Sequence, residues 1–199
     1  MHKFADQREL ISFAESFIKE RIESLDEDVS HCLQGTFAPF PALLYCFSTI
    51  DLLGALCAGD ATRNAPSTRQ SADYMQNFMN YTKDQSQILQ KIFRHKIVHL
   101  AQPKAVIQDN SRLISWRYWH NDPACHLKLK RLPRGSDFSV TQYWKILVDY
   151  EFNISISHFM KDIRKSVVSP SGYLASLQTI PDYQKNFENA IVQIYDPTK

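Results

Sequence analysis

Glycine and proline are scarce, 5 and 9 in 199 residues, which argues against a loop-rich sandwich and for long regular elements. No charge of one sign dominates either. The 23 basic and 21 acidic side chains leave a formal charge of +2, too little to hold a polyanion by bulk attraction, so any nucleic-acid site must be a local patch. Cys32, Cys46, Cys57 and Cys125 lack C-x-x-C spacing, and Cys46 and Cys57 fall in an apolar run where cysteine acts as a small buried hydrophobe. No apolar stretch of a secretion signal follows Met1. The most apolar run, 37–58, is interrupted by Asp51 and small polar residues, so it reads as a core helix and not a membrane span. These absences predict a soluble cytoplasmic protein with reduced thiols and no membrane partner. What remains is an ordinary globular balance, 44% hydrophobic and 22% charged, which excludes disordered and fibrous classes.

Periodicity predicts a mainly α protein, α+β overall, in one domain over 1–199: a helical bundle at about 6–102, a β insertion at about 105–155, and C-terminal helices within about 157–195. Leu10, Ile11, Ala14, Phe17, Ile18, Ile22 and Leu25 recur at steps of three and four, giving a first helix over about 6–25. Asp6 and Glu9 suit its cap, and Asp26-Glu27-Asp28 marks an exposed connection. A second helix opens at Pro39-Phe40-Pro41 and stops by Gly59. It is apolar almost all round, which places it at the centre. Ser67 with Gln70, and Thr82 with Gln85, are capping-box patterns opening a third and a fourth helix, the latter reaching about His99 before Pro103. Short connections favour antiparallel neighbours.

The period then changes to two. Arg112–His120 and His126–Arg131 alternate around the turn Asn121-Asp122-Pro123-Ala124, which predicts a small antiparallel sheet built on a β-hairpin, with a further strand within 139–156. Trp116, Tyr118, Lys128, Lys130 and Arg131 interleave aromatics with cations, as a single-stranded nucleic-acid platform does. The competing reading packs the aromatics on the bundle and leaves the lysines to blunt a sheet edge. His120, Cys125 and His126 lack the paired spacing of a structural zinc site, and no metal or other cofactor is expected.

The most informative segment is Arg94-His95-Lys96-Ile97-Val98-His99, near the end of the fourth helix. Arg94-x-x-x-x-His99 resembles the R-x4-6-H motif of the HEPN superfamily, with His95 as the polar residue that often follows the arginine. Leu44-Tyr-Cys-Phe-Ser-Thr-Ile-Asp-Leu-Leu-Gly54 and the closing Val98-His99…Pro103-Lys104 are similar to bacterial members, so the resemblance spans roughly residues 40–104. It implies an antiparallel helical bundle and a homodimer in which two motifs face one cleft. It also implies metal-independent endoribonuclease activity with Arg94 and His99 catalytic and His95 and Lys96 supporting. Other members of that superfamily are non-catalytic modules, which leaves binding of RNA, a nucleotide or a protein partner as the alternative.

The implied chemistry is coherent. Metal-free RNA cleavage turns the 2′-hydroxyl on its own phosphate, which needs a proton acceptor titrating near neutrality and a cation beside the phosphorane. Histidine, with a pKa of about 6.5, supplies the first, and an arginine fork supplies the second. DNA lacks that internal nucleophile, so no DNA substrate is expected. On a regular helix, residues five apart point about 140° away from each other. Arg94 and His99 therefore share one phosphate only at a distorted helix end or across a dimer. Structural readings compete with each role: Arg94 as a paired surface charge, His99 as a complement to the helix dipole, and His95 with His99 as a metal pair lacking a third ligand.

Overall fold

The apolar stripe of the N-terminal segment forms α1 (Gln7–Leu33), opened by Asp6, whose Oδ1 accepts the Glu9 N–H at 2.9 Å. The structure, a computed structural model, describes residues 4–34, 38–94, 103–141 and 143–196. α1 does not stop at Asp26-Glu27-Asp28 as predicted. Val29 and Leu33 extend the buried stripe of Ile22 and Leu25, and Asp26 is held from outside by Arg164 Nη1 at 2.6 Å, so the acidic run decorates the helix and does not break it.

α2 (Pro39–Ala58) begins with prolines in its first turn and ends at Gly59, whose φ of 75° is the left-handed conformation that a glycine adopts without steric cost. By length and composition it is apolar enough to cross a membrane. It instead packs against α1, α3 (Ser67–Phe78), α5 (Ile156–Val168) and α7 (Pro181–Tyr195), with Leu43, Cys46, Phe47 and Ile50 fully buried. α4 (Lys83–Leu89) carries the predicted capping box: Gln85 N–H donates to Thr82 Oγ1 at 3.2 Å, and Thr82 N–H to Gln85 Oε1 at 2.9 Å. The helix then widens into a π turn over Gln90–Arg94. α6 (Tyr173–Thr179) lies between α5 and α7 in the chain.

The β region differs from the expected hairpin. β1 (Ile107–Asp109), β2 (Arg112–Trp119), β6 (Tyr150–Ser155) and β3 (Leu129–Arg131) form a mixed sheet in the order β1-β2-β6-β3. β6 runs parallel to β2, from Ile114 opposite Tyr150 to Trp119 opposite Ser155, and antiparallel to β3. β4 (Asp137–Thr141) and β5 (Trp144–Leu147) pair separately. The two segments expected to pair thus flank a third. β6 takes the centre because Phe152 and Ile154 are wholly buried, whereas every residue of β3 keeps some exposure. Beyond the 121–124 turn the chain is drawn onto β6: Leu127 N–H donates to Asn153 O at 2.8 Å, and Asn153 N–H to Lys128 O at 2.9 Å. Ile107, Ile114, Phe152 and Ile154 join the same buried cluster as the helices. The fold is therefore mainly helical with a small mixed sheet, in the α+β class.

Candidate functional site

Arg94 closes the π turn and reaches across to α2 and α3. Its Nε donates to Asp51 Oδ2 at 3.0 Å, Nη1 to Thr68 Oγ1 at 3.0 Å, and Nη2 to Ser67 Oγ at 2.7 Å. The Ser71 hydroxyl contacts the other Asp51 oxygen. The guanidinium is 14% exposed and its carboxylate 23%, so one cluster ties together three helical segments that are distant in sequence. It also explains why Ser67 is not the N-cap that its spacing to Gln70 predicts. Pro66 takes that position with no side-chain hydrogen bond, and Ser67 sits inside the helix with its oxygen turned to Arg94.

His95, Lys96 and His99 lie outside the described residues. On the far side of that segment, Lys104 N–H donates to Ile92 O at 2.9 Å, so the chain returns beside the π turn. The first turns of α3, with α4 and the start of the π turn facing them, border a cleft of about 840 Å³ that includes Ser67, Thr68, Lys83, Gln90 and Lys91.

The aromatic residues proposed for RNA stacking are committed to packing. Trp116 lies 5.6 Å from Phe93 and 5.8 Å from Tyr118 between ring centroids, and its indole donates to Lys104 O at 2.8 Å. Tyr118 meets Phe40 at 5.9 Å. Lys128, Lys130 and Arg131 are exposed on or beside β3, with β6 between them and the two rings. Arg131 lines a separate cleft with Arg134 and Tyr150. The aromatics and the cations therefore do not form one continuous platform on adjacent strands.

A polar cluster that the residue pattern did not single out lies where β6 meets α5. Ser155 N–H donates to His126 Nδ1 at 3.1 Å, and Asp162 Oδ2 stands 3.2 Å from His126 Nε2 while accepting the Tyr81 hydroxyl at 2.8 Å. The Ser155 hydroxyl lies 3.0 Å from His158 Nδ1. His126 thus belongs with Tyr81, Asp162 and Ser155 rather than with His120 and Cys125. The Cys125 thiol bonds Asp122, which raises its pKa, and no group of three or more metal-binding side chains occurs among the described residues.

Desolvation, reinforced by Lys161 and His126, lowers the His158 pKa below its usual value. Folding therefore favours the neutral ring. Its contribution is present above the unfolded value of about 6.5 and is lost as pH falls through the lower folded value. We expect the urea midpoint to fall on acidification from neutrality more steeply in the wild type than in His158→Gln. Parallel profiles would rule out a desolvated His158.

Compared with known proteins, the chain matches no family model, no curated protein and no solved structure.

Proposed function

We propose that the chain is a HEPN-like cytoplasmic protein that cleaves RNA without a metal, as a homodimer, with Arg94 as phosphate clamp and His99 as acid and base. The observation that carries this reading is the setting of Arg94. An arginine has five N–H donors, and contacts to described residues use three of them. Among the described residues that leaves one donor without a partner on each terminal nitrogen, on a side chain whose orientation Asp51, Ser67 and Thr68 have already fixed. A preoriented cation stabilises developing phosphorane charge without reorganising during the reaction. The π turn next to Arg94 is also a local departure from regular helix geometry, and the resemblance requires either such a departure or a dimer. His95 and Lys96 would assist from the same segment.

The same ion pair favours a second reading, since Asp51 already neutralises Arg94: a non-catalytic dimeric module binding RNA, a nucleotide or a protein. The test incubates purified protein with labelled RNA in EDTA, beside Arg94→Lys and His99→Gln. Folding is checked by circular dichroism and the dimer by sedimentation. Under the enzyme reading both variants stay folded and dimeric and lose cleavage, and a single 2′-deoxy substitution at the scissile nucleotide blocks the wild type. Equal residual cleavage in all three proteins would mark a contaminant and sink the reading. RNA retention without cleavage would move the conclusion to the binding module.

A further inference from the structure

The cations on and beside β3 serve neither the bundle nor the proposed cleavage, since β6 separates them from Trp116 and Tyr118. Lys128, Lys130, Arg131 and Arg134 are all exposed, and none of their side chains forms a hydrogen bond or ion pair with the described residues. The whole chain carries a formal charge of +2, so this is a local concentration of positive charge. The carboxylates nearby are engaged elsewhere. Glu151, opposite Lys130 in the register, accepts from Arg117 at 3.1 Å, and Asp149 Oδ2 accepts the Leu113 N–H at 3.0 Å. Asp122 Oδ1 accepts the N–H groups of Ala124 and Cys125.

The backbone beneath these cations is open on one side, because β3 is an outer strand with β6 as its neighbour. In an antiparallel ladder, alternate residues turn both backbone groups to the partner and the residues between turn theirs away. Lys128 O accepts the Asn153 N–H at 2.9 Å, Leu132 N–H donates to Asp149 O at 2.9 Å, and Lys130 stands between them opposite Glu151. Those three residues face β6. Leu129 and Arg131 therefore turn their N–H and C=O outward, where no described group bonds them. A bare edge of this kind is a template for another strand. Lysines blunt it against a second copy of the chain, since β3 beside β3 brings like charges together. The same cations favour a strand of opposite sign. Arg131 also lines, with Arg134 and Asp149, a cleft of about 740 Å³, so an acidic side chain placed alongside Arg131 meets a second guanidinium.

We propose that the open edge of β3 docks an extended acidic segment of a partner protein by strand addition. Leu129 and Arg131 supply the backbone bonds, and Lys130 and Arg131 pair with acidic side chains of the added strand. Residues opposite each other across two strands share a face, and this sets the order of the recognised residues. The residue opposite Leu129, which packs partly against the core, is apolar. The next two, opposite Lys130 and Arg131, are acidic. RNA matches the cations but makes no use of the outward backbone groups, and Trp116 and Tyr118, the rings expected to stack its bases, stand beyond β6. The inference does not depend on RNA cleavage, because no residue of the Arg94 cluster takes part in it.

The test titrates the isotope-labelled full chain with the peptide Thr-Val-Glu-Glu-Val-Thr, whose order is the same in either strand direction, and with Thr-Val-Lys-Lys-Val-Thr. Backbone amides are followed by NMR, and the folding of each variant is checked by circular dichroism. The acidic peptide should shift the amides of Leu129 and Arg131 more than those of Lys130 and Leu132, which already face β6. It should bind about tenfold tighter than the lysine peptide, and Lys130→Glu with Arg131→Glu should reverse that preference. Arg131→Pro removes an outward N–H and leaves the ladder to β6 intact, as an edge strand tolerates. It should weaken binding about fivefold beyond Arg131→Gln, which removes the charge alone. Equal affinity for the two peptides, binding of neither, or a proline variant equal to Arg131→Gln overturns the proposal. Binding of labelled oligouridylate but not of the acidic peptide, lost on charge reversal, overturns it too and assigns the cations to RNA. RNA cleavage that survives the charge reversal while peptide binding is lost separates this edge from the nuclease, and peptide binding in a protein that cleaves no RNA keeps the edge alone.

Discussion

The Asp51→Ala variant is expected to lose about 3 kcal/mol of folding stability in urea titrations, because removing one partner of a largely buried ion pair leaves the other charge without compensation. Arg94 is 14% exposed and receives its only carboxylate contact among the described residues from Asp51. Hydroxyls of Ser67 and Thr68 accept from the guanidinium but bring no charge. The contrast within the same molecule is Arg69–Asp73, 3.6 Å apart with side chains 82% and 57% exposed; breaking it should cost less than about 1 kcal/mol. Replacing both partners by apolar residues, Asp51→Leu with Arg94→Met, should recover most of the loss, since the pair's attraction and its desolvation nearly cancel. That double variant is the most useful form for the functional question. It removes the proposed phosphate clamp from a folded protein, so loss of RNA cleavage in it reports on the clamp and not on unfolding. A loss below about 1 kcal/mol in Asp51→Ala would mean that the pair behaves like a surface pair, and that Arg94 is not fixed by α2.

The elements with a strong helical period were legible from residues alone, because each buries a stripe that recurs every three or four positions. α2, α3, α5 and α7 lie close to where the pattern puts them, α1 begins there but runs on to Leu33, and α4 begins at its predicted cap. The failures share a cause. Whether Asp26-Glu27-Asp28 ends a helix depends on the burial of Val29 and Leu33 beyond it, with Arg164, 138 positions away, pairing Asp26 from outside. Whether Ser67 caps α3 depends on Arg94, which claims its hydroxyl. Whether β2 pairs with β3 depends on β6, a later strand whose Phe152 and Ile154 need burial more than any residue of β3 does. In each case a partner far along the chain overrides a local signal that is itself sound.

The site divides the same way. Arg94 stood out by its motif, Asp51 registered as an interruption of an apolar run and as one residue of the Leu44–Gly54 stretch that carries the resemblance, and Thr68 carried no local signal. Their role comes from one geometric fact, that α2, α3 and the π turn converge. Likewise His126, set aside in sequence as a metal ligand beside His120 and Cys125, became part of a hydrogen-bonded cluster once β6 and α5 brought Ser155 and Asp162 to it.

That convergence depends on close approach of α2 and α3 at a single glycine, and Gly54→Ala tests it. A Cβ at position 54 would stand 2.9 Å from the Gln70 carbonyl carbon, the Gln70 oxygen and the Ser71 nitrogen. All three are backbone atoms of α3, which cannot rotate away as a side chain would. We expect a loss of about 3 kcal/mol, the upper end for overpacking, even though alanine favours a helix over glycine by about 1 kcal/mol. Ser48→Ala, at an exposed position of the same helix, serves as the control and should change stability by less than about 0.5 kcal/mol. The consequence for the site is specific. Asp51 lies three residues before Gly54 and meets Ser71, the residue whose nitrogen the new methyl would crowd. Pushing α3 outward therefore pulls Ser71 from Asp51, and Ser67 and Thr68 from Arg94, while leaving α4 capped by Thr82. In a partly destabilised but folded Gly54→Ala protein, the proposed RNA cleavage should fall further than the folded fraction does. If the variant is as stable as wild type, the two helices have slack at this crossing, and the orientation of Arg94 does not depend on it.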